Sequence, residues 1–198
     1  MKEPKYWNHN VAYYPWIKKE TEGCSCILDA GCGDGSLLAY LDDGSKELYG
    51  IDIDKFAIDR ARAENASEKI SYEVASFDEI DENEKYDAIV FVASIHHMNM
   101  SDTLDKVKKM LTPGGRLIIV GLAKPSTLTD RIIEAGRVIP SRIITNKHKA
   151  QSCESMGMTV SFDMPKLNDV RKVISEEIPY ASWRQALHYR YLLKWIKE

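Results

Sequence analysis

"CSCILDAGCGDGSLLAYL", residues 24–41, runs from an apolar stretch through three alternate glycines, Gly31, Gly33 and Gly35, into a segment with helical spacing. Ser25 to Ala30 reads as a buried strand and Ser36 to Leu41 as the start of a helix. Glycine lets the chain turn sharply and removes side chains that would hold a ligand off the backbone, and a helix start presents N–H groups. A corner of this kind is expected to receive a nucleotide-like ligand. Asp52, closing the next apolar run, stands where a carboxylate can accept both hydroxyls of a ribose.

Outward from this corner, apolar runs alternate with helical patterns. The spacing predicts strands at Ser25 to Ala30, Leu48 to Ile53, Ile70 to Ala75, Ala88 to Ala93 and Arg116 to Gly121. It predicts helices near Ser36 to Leu41, Lys55 to Asn65 and Asp102 to Leu111, hence an α/β fold with a mostly parallel sheet covered on both faces. In "LTPGGRLIIVG", Pro113-Gly114-Gly115 is expected to end the last helix and lead into a strand. "YYPWIKKE" reads as a short helix opened by Pro15, a cover over the site. "STLTDRIIEAGRVI" is helical, "PSRIITNKHKAQSCESMGMT" is polar and irregular, and "LNDVRKVISEEI" is an amphipathic helix. "ASWRQALHYRYLLKWIKE" reads as two strands joined tightly near His188 to Arg190. One domain is expected, with a cover over 1–22, a cofactor-binding core over 23–122, a variable substrate-side segment over 123–166, and a helix plus hairpin over 167–198.

Composition narrows the function. Among 198 residues, 44% are hydrophobic and 29% charged, with no apolar run near the ~20 residues of a membrane span, so no membrane partner is expected. "MKEPKYWNHN" has polar and acidic residues where a signal peptide carries an apolar core. Four cysteines without paired metal spacing fit core thiols in a reducing cytoplasm. A net charge of −3 offers no broad positive field for nucleic acid, which is not an expected partner.

The glycine run distinguishes two ligand families. A dinucleotide fold uses G-x-G-x-x-G, whereas the residue three beyond Gly33 is Ser36, and Asp29 precedes the first glycine by two positions. That acid would repel a pyrophosphate and suits an ammonium such as that of S-adenosylmethionine. "LDAGCGDG", "GIDID", "YDAIVFVASIHHM" and "LTPGGRLIIV", in this order, resemble the class I S-adenosylmethionine-dependent methyltransferases, in particular the bacterial small-molecule "methyltransferase domain" group. The resemblance implies a Rossmann-like, doubly wound seven-stranded sheet in order 3-2-1-4-5-7-6 with the last strand antiparallel. It implies that Asp29, Gly31, Cys32 and the Gly33 turn hold the methionine end, that Asp52 binds the ribose, and that Ile53 packs on the adenine. Ser76 occupies the position of the family's usual acid beside the adenine amino group, with Phe77 next, and Ala93 lines the methionine side.

Methyl transfer from a sulfonium is a direct displacement, so acceptor alignment and water exclusion come first and a base is optional. His96 and His97 follow the fourth strand and are the candidates for a catalytic role. Tyr6, Tyr13 and Tyr14 are candidate covers, and Arg184, His188 and Tyr191 candidate acceptor contacts. Arg137, Arg142, Lys147 and Lys149 form a basic group in the variable segment. No acidic triad of a metal-dependent type is present in the sequence, and no essential metal is expected. The expected function is cytoplasmic methyl transfer to a small molecule or modified peptide, at a hydroxyl or carboxylate oxygen, by a monomer or homodimer in natural-product biosynthesis, with S-adenosylhomocysteine as the spent cofactor. Alternatives are transfer to nitrogen or carbon, as on a quinone precursor, a non-catalytic S-adenosylmethionine-binding protein, and a nicotinamide-dependent reductase.

Overall fold

The apolar runs of the sequence pair into one sheet in the computed structural model, which describes residues 7–136 and 164–198. In chain order the elements are α1 (Tyr14–Glu20), β1 (Cys26–Ala30), α2 (Ser36–Leu41), β2 (Glu47–Asp52), α3 (Lys55–Glu64), β3 (Ile70–Val74), β4 (Tyr86–Val92), α4 (Met100–Met110) and β5 (Leu111–Leu122). They continue with α5, described over 128–136, then α6 (Leu167–Glu177), β6 (Ser182–Gln185) and β7 (Arg190–Ile196). The seven strands lie in the order β3-β2-β1-β4-β5-β7-β6, and β7 runs antiparallel to both its neighbours.

Helices on both faces explain why the central strands read as continuous apolar runs rather than alternating ones. Successive side chains on a strand point to opposite faces. Ile27, Val90, Ile118 and Val120 pack on one side with Ile17, Leu38 and Ile58 from α1, α2 and α3. Leu28, Ile89, Phe91, Leu117 and Ile119 pack on the other with Leu104 and Val107 of α4 and Val170 and Ile174 of α6. Burial on both sides supplies the main driving force, about 1.5–3 kcal/mol per large side chain.

Two element boundaries differ from the sequence reading. Helix α4 starts at Met100, because the Asn99 side chain accepts the Ser101 and Asp102 N–H groups and caps the helix earlier. Strand β5 starts directly after it at Leu111, opposite Tyr86, and Pro113-Gly114-Gly115 forms an irregularity within the strand rather than a separate turn. The end of the chain supports that irregularity: Gly114 N–H donates to the Lys197 carbonyl and Lys197 N–H to that of Gly115. The hairpin joining β6 to β7 turns through His188 and Tyr189, both at positive φ, as tight hairpins require.

Asp130, in α5, ties the chain after β5 to α6 and β6. Its buried carboxylate accepts the Ser126 and Thr127 N–H groups, pairs with Arg171 at 2.7 Å and accepts from the Gln185 amide at 3.0 Å. Asp130→Ala would strand these donors, and a loss of about 3 kcal/mol is expected in urea unfolding. An unchanged midpoint would refute the tie.

Candidate functional site

The carboxyl ends of β1, β2 and β4 meet at the glycine corner, as in open α/β sheets generally. Gly31 has φ +81°, and a Cβ there would lie 2.4 Å from the Cβ of Ser94, so the crossing of β1 past the end of β4 admits no side chain. Ser94 seals the crossing by donating its hydroxyl to the Ala30 carbonyl at 2.6 Å. Gly31 and Cys32 both give their N–H groups to the Ile51 carbonyl, and Gly33 gives its own to Asp52. These three N–H groups, which precede the helix start at Ser36, are thus taken up within the protein. They hold β1 against the end of β2, and what the corner offers a ligand is carboxylate.

Asp29 is 2% exposed, and its Oδ1 has no hydrogen-bond partner among the described residues. Burial, with the nearby charges of Asp52 and Asp34, pushes its pKa up to about 8. The hydroxyl of buried Tyr14 feels the acids Asp34 and Asp29, behind the larger effect of burial. Tyr14, a candidate cover, thus lies beside the acids of the glycine corner. Asp52 closes β2 with both oxygens engaged, Oδ2 accepting Gly33 N–H and Oδ1 accepting Asp54 N–H, each at 2.9 Å. Each carboxylate oxygen can accept a further bond, so two ribose hydroxyls can still be received.

Beyond Asp52 lies an open apolar ledge, with Ile53 77% and Phe56 83% exposed. Ile53 is thus available to an adenine face. Ser76 caps the short helical turn 77–79: its Oγ accepts Asp78 N–H while its own N–H donates to Glu79. Phe77 does not line this surface. Its ring is buried and meets Phe91 edge-on at 5.3 Å, because the turn directs it into the core. Ala93, directly after β4, has φ +55°, a conformation costly for a side-chain-bearing residue, held by its N–H to the Val120 carbonyl.

On the far side of β4, Ile95–His97 form a short helical turn. The His96 and His97 rings are 4.0 Å apart, with His97 exposed and His96 half-buried. Burial, then the charges of His97 and Arg190, lowers the His96 pKa to about 4, and its buried Nδ1 has no partner among the described residues. At neutral pH His96 is therefore an uncharged imidazole. The N-terminal segment reaches the same edge: Tyr13 donates its hydroxyl to the Leu187 carbonyl at 3.0 Å.

Two acceptor candidates are displaced. Tyr191 is buried in the core, its ring filling the space over Gly121, where a Cβ would fall 2.1 Å from it. Arg184 stands exposed on the edge strand β6. Tyr6 and the basic group Arg137, Arg142, Lys147 and Lys149 lie outside the described residues. Sequence reading missed Ser94, Asp34, His9 and Arg190. Strand alternation could have found the last, since Arg190 and Tyr191 must face opposite sides.

The sheet order, the glycine corner and the acid at the end of β2 define the fold of the class I S-adenosylmethionine-dependent methyltransferases. Residues 28–117 match the family model described as a methyltransferase domain. An uncharacterized methyltransferase of Mycobacterium tuberculosis is 33% identical over 123 residues, which are 61% of this chain and 62% of the relative; the chain thus spans less than two thirds of that relative's length. Magnesium protoporphyrin IX methyltransferase from Synechocystis PCC 6803, solved with bound S-adenosylhomocysteine, superposes with a TM-score of 0.62 at 16% identity, covering 96% of this chain and 81% of its own. N-methyltransferase NodS from Bradyrhizobium japonicum, also in complex with S-adenosylhomocysteine, gives a TM-score of 0.62 at 18% identity, covering 96% of this chain and 88% of its own. No helix among the described residues is long and apolar enough to cross a membrane.

Proposed function

We propose that the protein is an S-adenosylmethionine-dependent methyltransferase that acts on a small molecule or modified peptide, transferring the methyl group to oxygen without a metal, in the cytoplasm. The observation that carries the cofactor is the buried, unpartnered oxygen of Asp29, with Asp34 and Asp52 beside it. Asp34 and Asp52, joined by Asp29 once an ammonium draws off its proton, attract the ammonium and sulfonium of S-adenosylmethionine and repel the pyrophosphate of a dinucleotide. When bound, S-adenosylmethionine supplies a methyl carbon activated by a positively charged sulfur, which leaves as a neutral thioether.

The chain's own residues then have separable tasks. Asp29 pairs with the ammonium, Asp52 accepts the ribose hydroxyls, and Ile53 covers the adenine. Tyr14 closes the corner from α1, and Tyr13, tied to Leu187, helps keep water from the edge. His96 receives the hydrogen bond, and finally the proton, of an acceptor hydroxyl, a role that its uncharged state supports.

Calorimetric titration with S-adenosylmethionine, S-adenosylhomocysteine and NAD tests the reading. Micromolar binding of the first two and none of NAD is expected, and the reverse pattern would overturn it. Once an acceptor is identified, His96→Ala should lower kcat about tenfold, the worth of one neutral hydrogen bond, with cofactor affinity unchanged. Undiminished turnover would remove His96 from the chemistry.

A further inference from the structure

Behind the glycine corner, the end of α3 and strand β3 meet the turn at residues 33–35 through a small polar layer. Asn65 closes α3, and its N–H donates to the Ala61 carbonyl at 2.8 Å. The side chain of this residue, only 9% exposed, turns away from the helix and donates Nδ2 to the Asp34 carbonyl at 2.8 Å. The hydroxyl of buried Tyr72 lies 3.2 Å from the Asn65 carbonyl and 3.4 Å from that of Gly35, so its single proton can serve either. Asp34 Oδ1 accepts the Ser36 N–H at 3.1 Å. Asp34 is therefore held at its carbonyl by Asn65 and at its carboxylate by Ser36. Asparagine serves at a helix end where the chain turns left-handed, but Asn65 has φ −127° and makes no use of that tolerance. What its amide does there is hold the peptide between Asp34 and Gly35.

We propose that Asn65 is a positioning residue for the cofactor: its amide fixes the peptide between Asp34 and Gly35 and so keeps the Asp34 carboxylate beside Asp29, where the two acids together receive the cofactor's ammonium. The proposal rests on the methyltransferase reading above. The charge of Asp34 is felt by Asp29, Tyr14, Cys32 and Tyr72, in each case behind the larger effect of burial, so the carboxylate faces the corner. The titratable groups around Asp29 are Asp34 and Cys32 of the turn, Asp52 of β2, Tyr14 of α1 and Tyr72 of β3. Of these, Asp52 and Asp34 add to burial in raising the Asp29 pKa to about 8. The Asp34 charge thus acts twice: it attracts the ammonium, and it opposes ionisation of Asp29 until the ammonium arrives. Loss of the Asn65 amide weakens both effects together. A residue that only stabilised the fold would move neither.

The test uses the full chain, with Asn65→Ala and, as a control for stability alone, Ile58→Val in the buried face of α3. Two readings are taken. The first is the titration of the Asp29 carboxyl in the protein without ligand, followed by carbon NMR and assigned by the loss of its signal in Asp29→Asn. Its midpoint should fall by about half a pH unit in Asn65→Ala. The second is calorimetry with S-adenosylhomocysteine, whose affinity should fall about tenfold at pH 8.5 and about fourfold at pH 6.5, because easier ionisation of Asp29 returns part of the loss at low pH. Ile58→Val should lower the melting temperature and leave both readings unchanged. An unmoved Asp29 midpoint in Asn65→Ala would overturn the proposal, as would an equal loss of affinity at the two pH values or the same shifts in Ile58→Val. If Asn65→Ala fails to fold, Asn65→Ser, too short to reach the Asp34 carbonyl, is read in the same way. Failure of S-adenosylhomocysteine to bind the unaltered protein would instead fall on the cofactor reading, and the Asp29 midpoint would still decide whether Asn65 holds Asp34 in place.

Discussion

Asp52→Ala weakens S-adenosylmethionine binding by about 100-fold or more, the expected loss when a carboxylate that accepts two hydroxyls is removed and each charged hydrogen bond contributes about 1.5–3 kcal/mol. Part of that loss is indirect. The same carboxylate receives the N–H groups of Gly33 and Asp54, so its removal also loosens the glycine corner against the end of β2. Asp52→Asn, which keeps one acceptor oxygen for one of these two N–H groups and turns an NH2 toward the other, should lose less thermal stability than Asp52→Ala while losing most of the affinity. Calorimetry with S-adenosylmethionine and a melting curve for each variant provide the check. Affinity within threefold of the unaltered protein in Asp52→Ala would show that the ribose is held elsewhere.

The second large effect is a pH dependence centred on Asp29. In the folded chain its pKa is about 8, against an ordinary value of 3.8. Between those values the folded state holds a proton that the unfolded state has released, so this group's contribution to stability is greatest at low pH. It declines as pH rises toward 8. An ammonium placed beside Asp29 reverses the preference, because it favours the ionised carboxylate. Binding of S-adenosylmethionine near pH 6.5 therefore releases close to one proton, and affinity rises about tenfold per pH unit until it levels near pH 8. Above that the amino group of the cofactor itself begins to lose its charge, at about 8 for an ordinary α-amine. Titrations in buffers of different ionisation enthalpy count the proton directly. Asp29→Asn should abolish the release and flatten the profile, and should cost about 100-fold in affinity at pH 8. A flat profile in the unaltered protein would mean that Asp29 does not meet the ammonium.

Legibility in the sequence followed the range of the interaction. The strand cores were readable because two-sided burial demands uninterrupted apolar residues, as in Ile27-Leu28 and Ile118-Ile119-Val120. The glycine corner was readable because its constraint is local: Gly31 must turn at positive φ, and no side chain fits there. The start of α4 was missed by two residues because Asn99, a polar residue before any apolar repeat, sets it. The run Pro113-Gly114-Gly115 was misread as a helix stop because its partner, Lys197, stands at the other end of the chain.

By itself the sequence determined the α/β class, the order of strand and helix, and the acids Asp29 and Asp52 at the ends of the first two strands, since each depends on the period or chemistry of neighbouring residues. Only the tertiary structure decided which way Phe77, Arg190 and Tyr191 face. An alternating pattern defines two sides of a strand and does not say which side a distant helix will cover. Tertiary structure also decided that the N–H groups of the glycine corner go to Ile51 and Asp52, leaving carboxylate to meet the ligand. It alone brought His9 onto His188 and Asn10 onto Arg190, pairs separated by nearly the whole chain. The antiparallel return of β7 along β5 is what carries the end of the sequence back to the edge where its beginning lies.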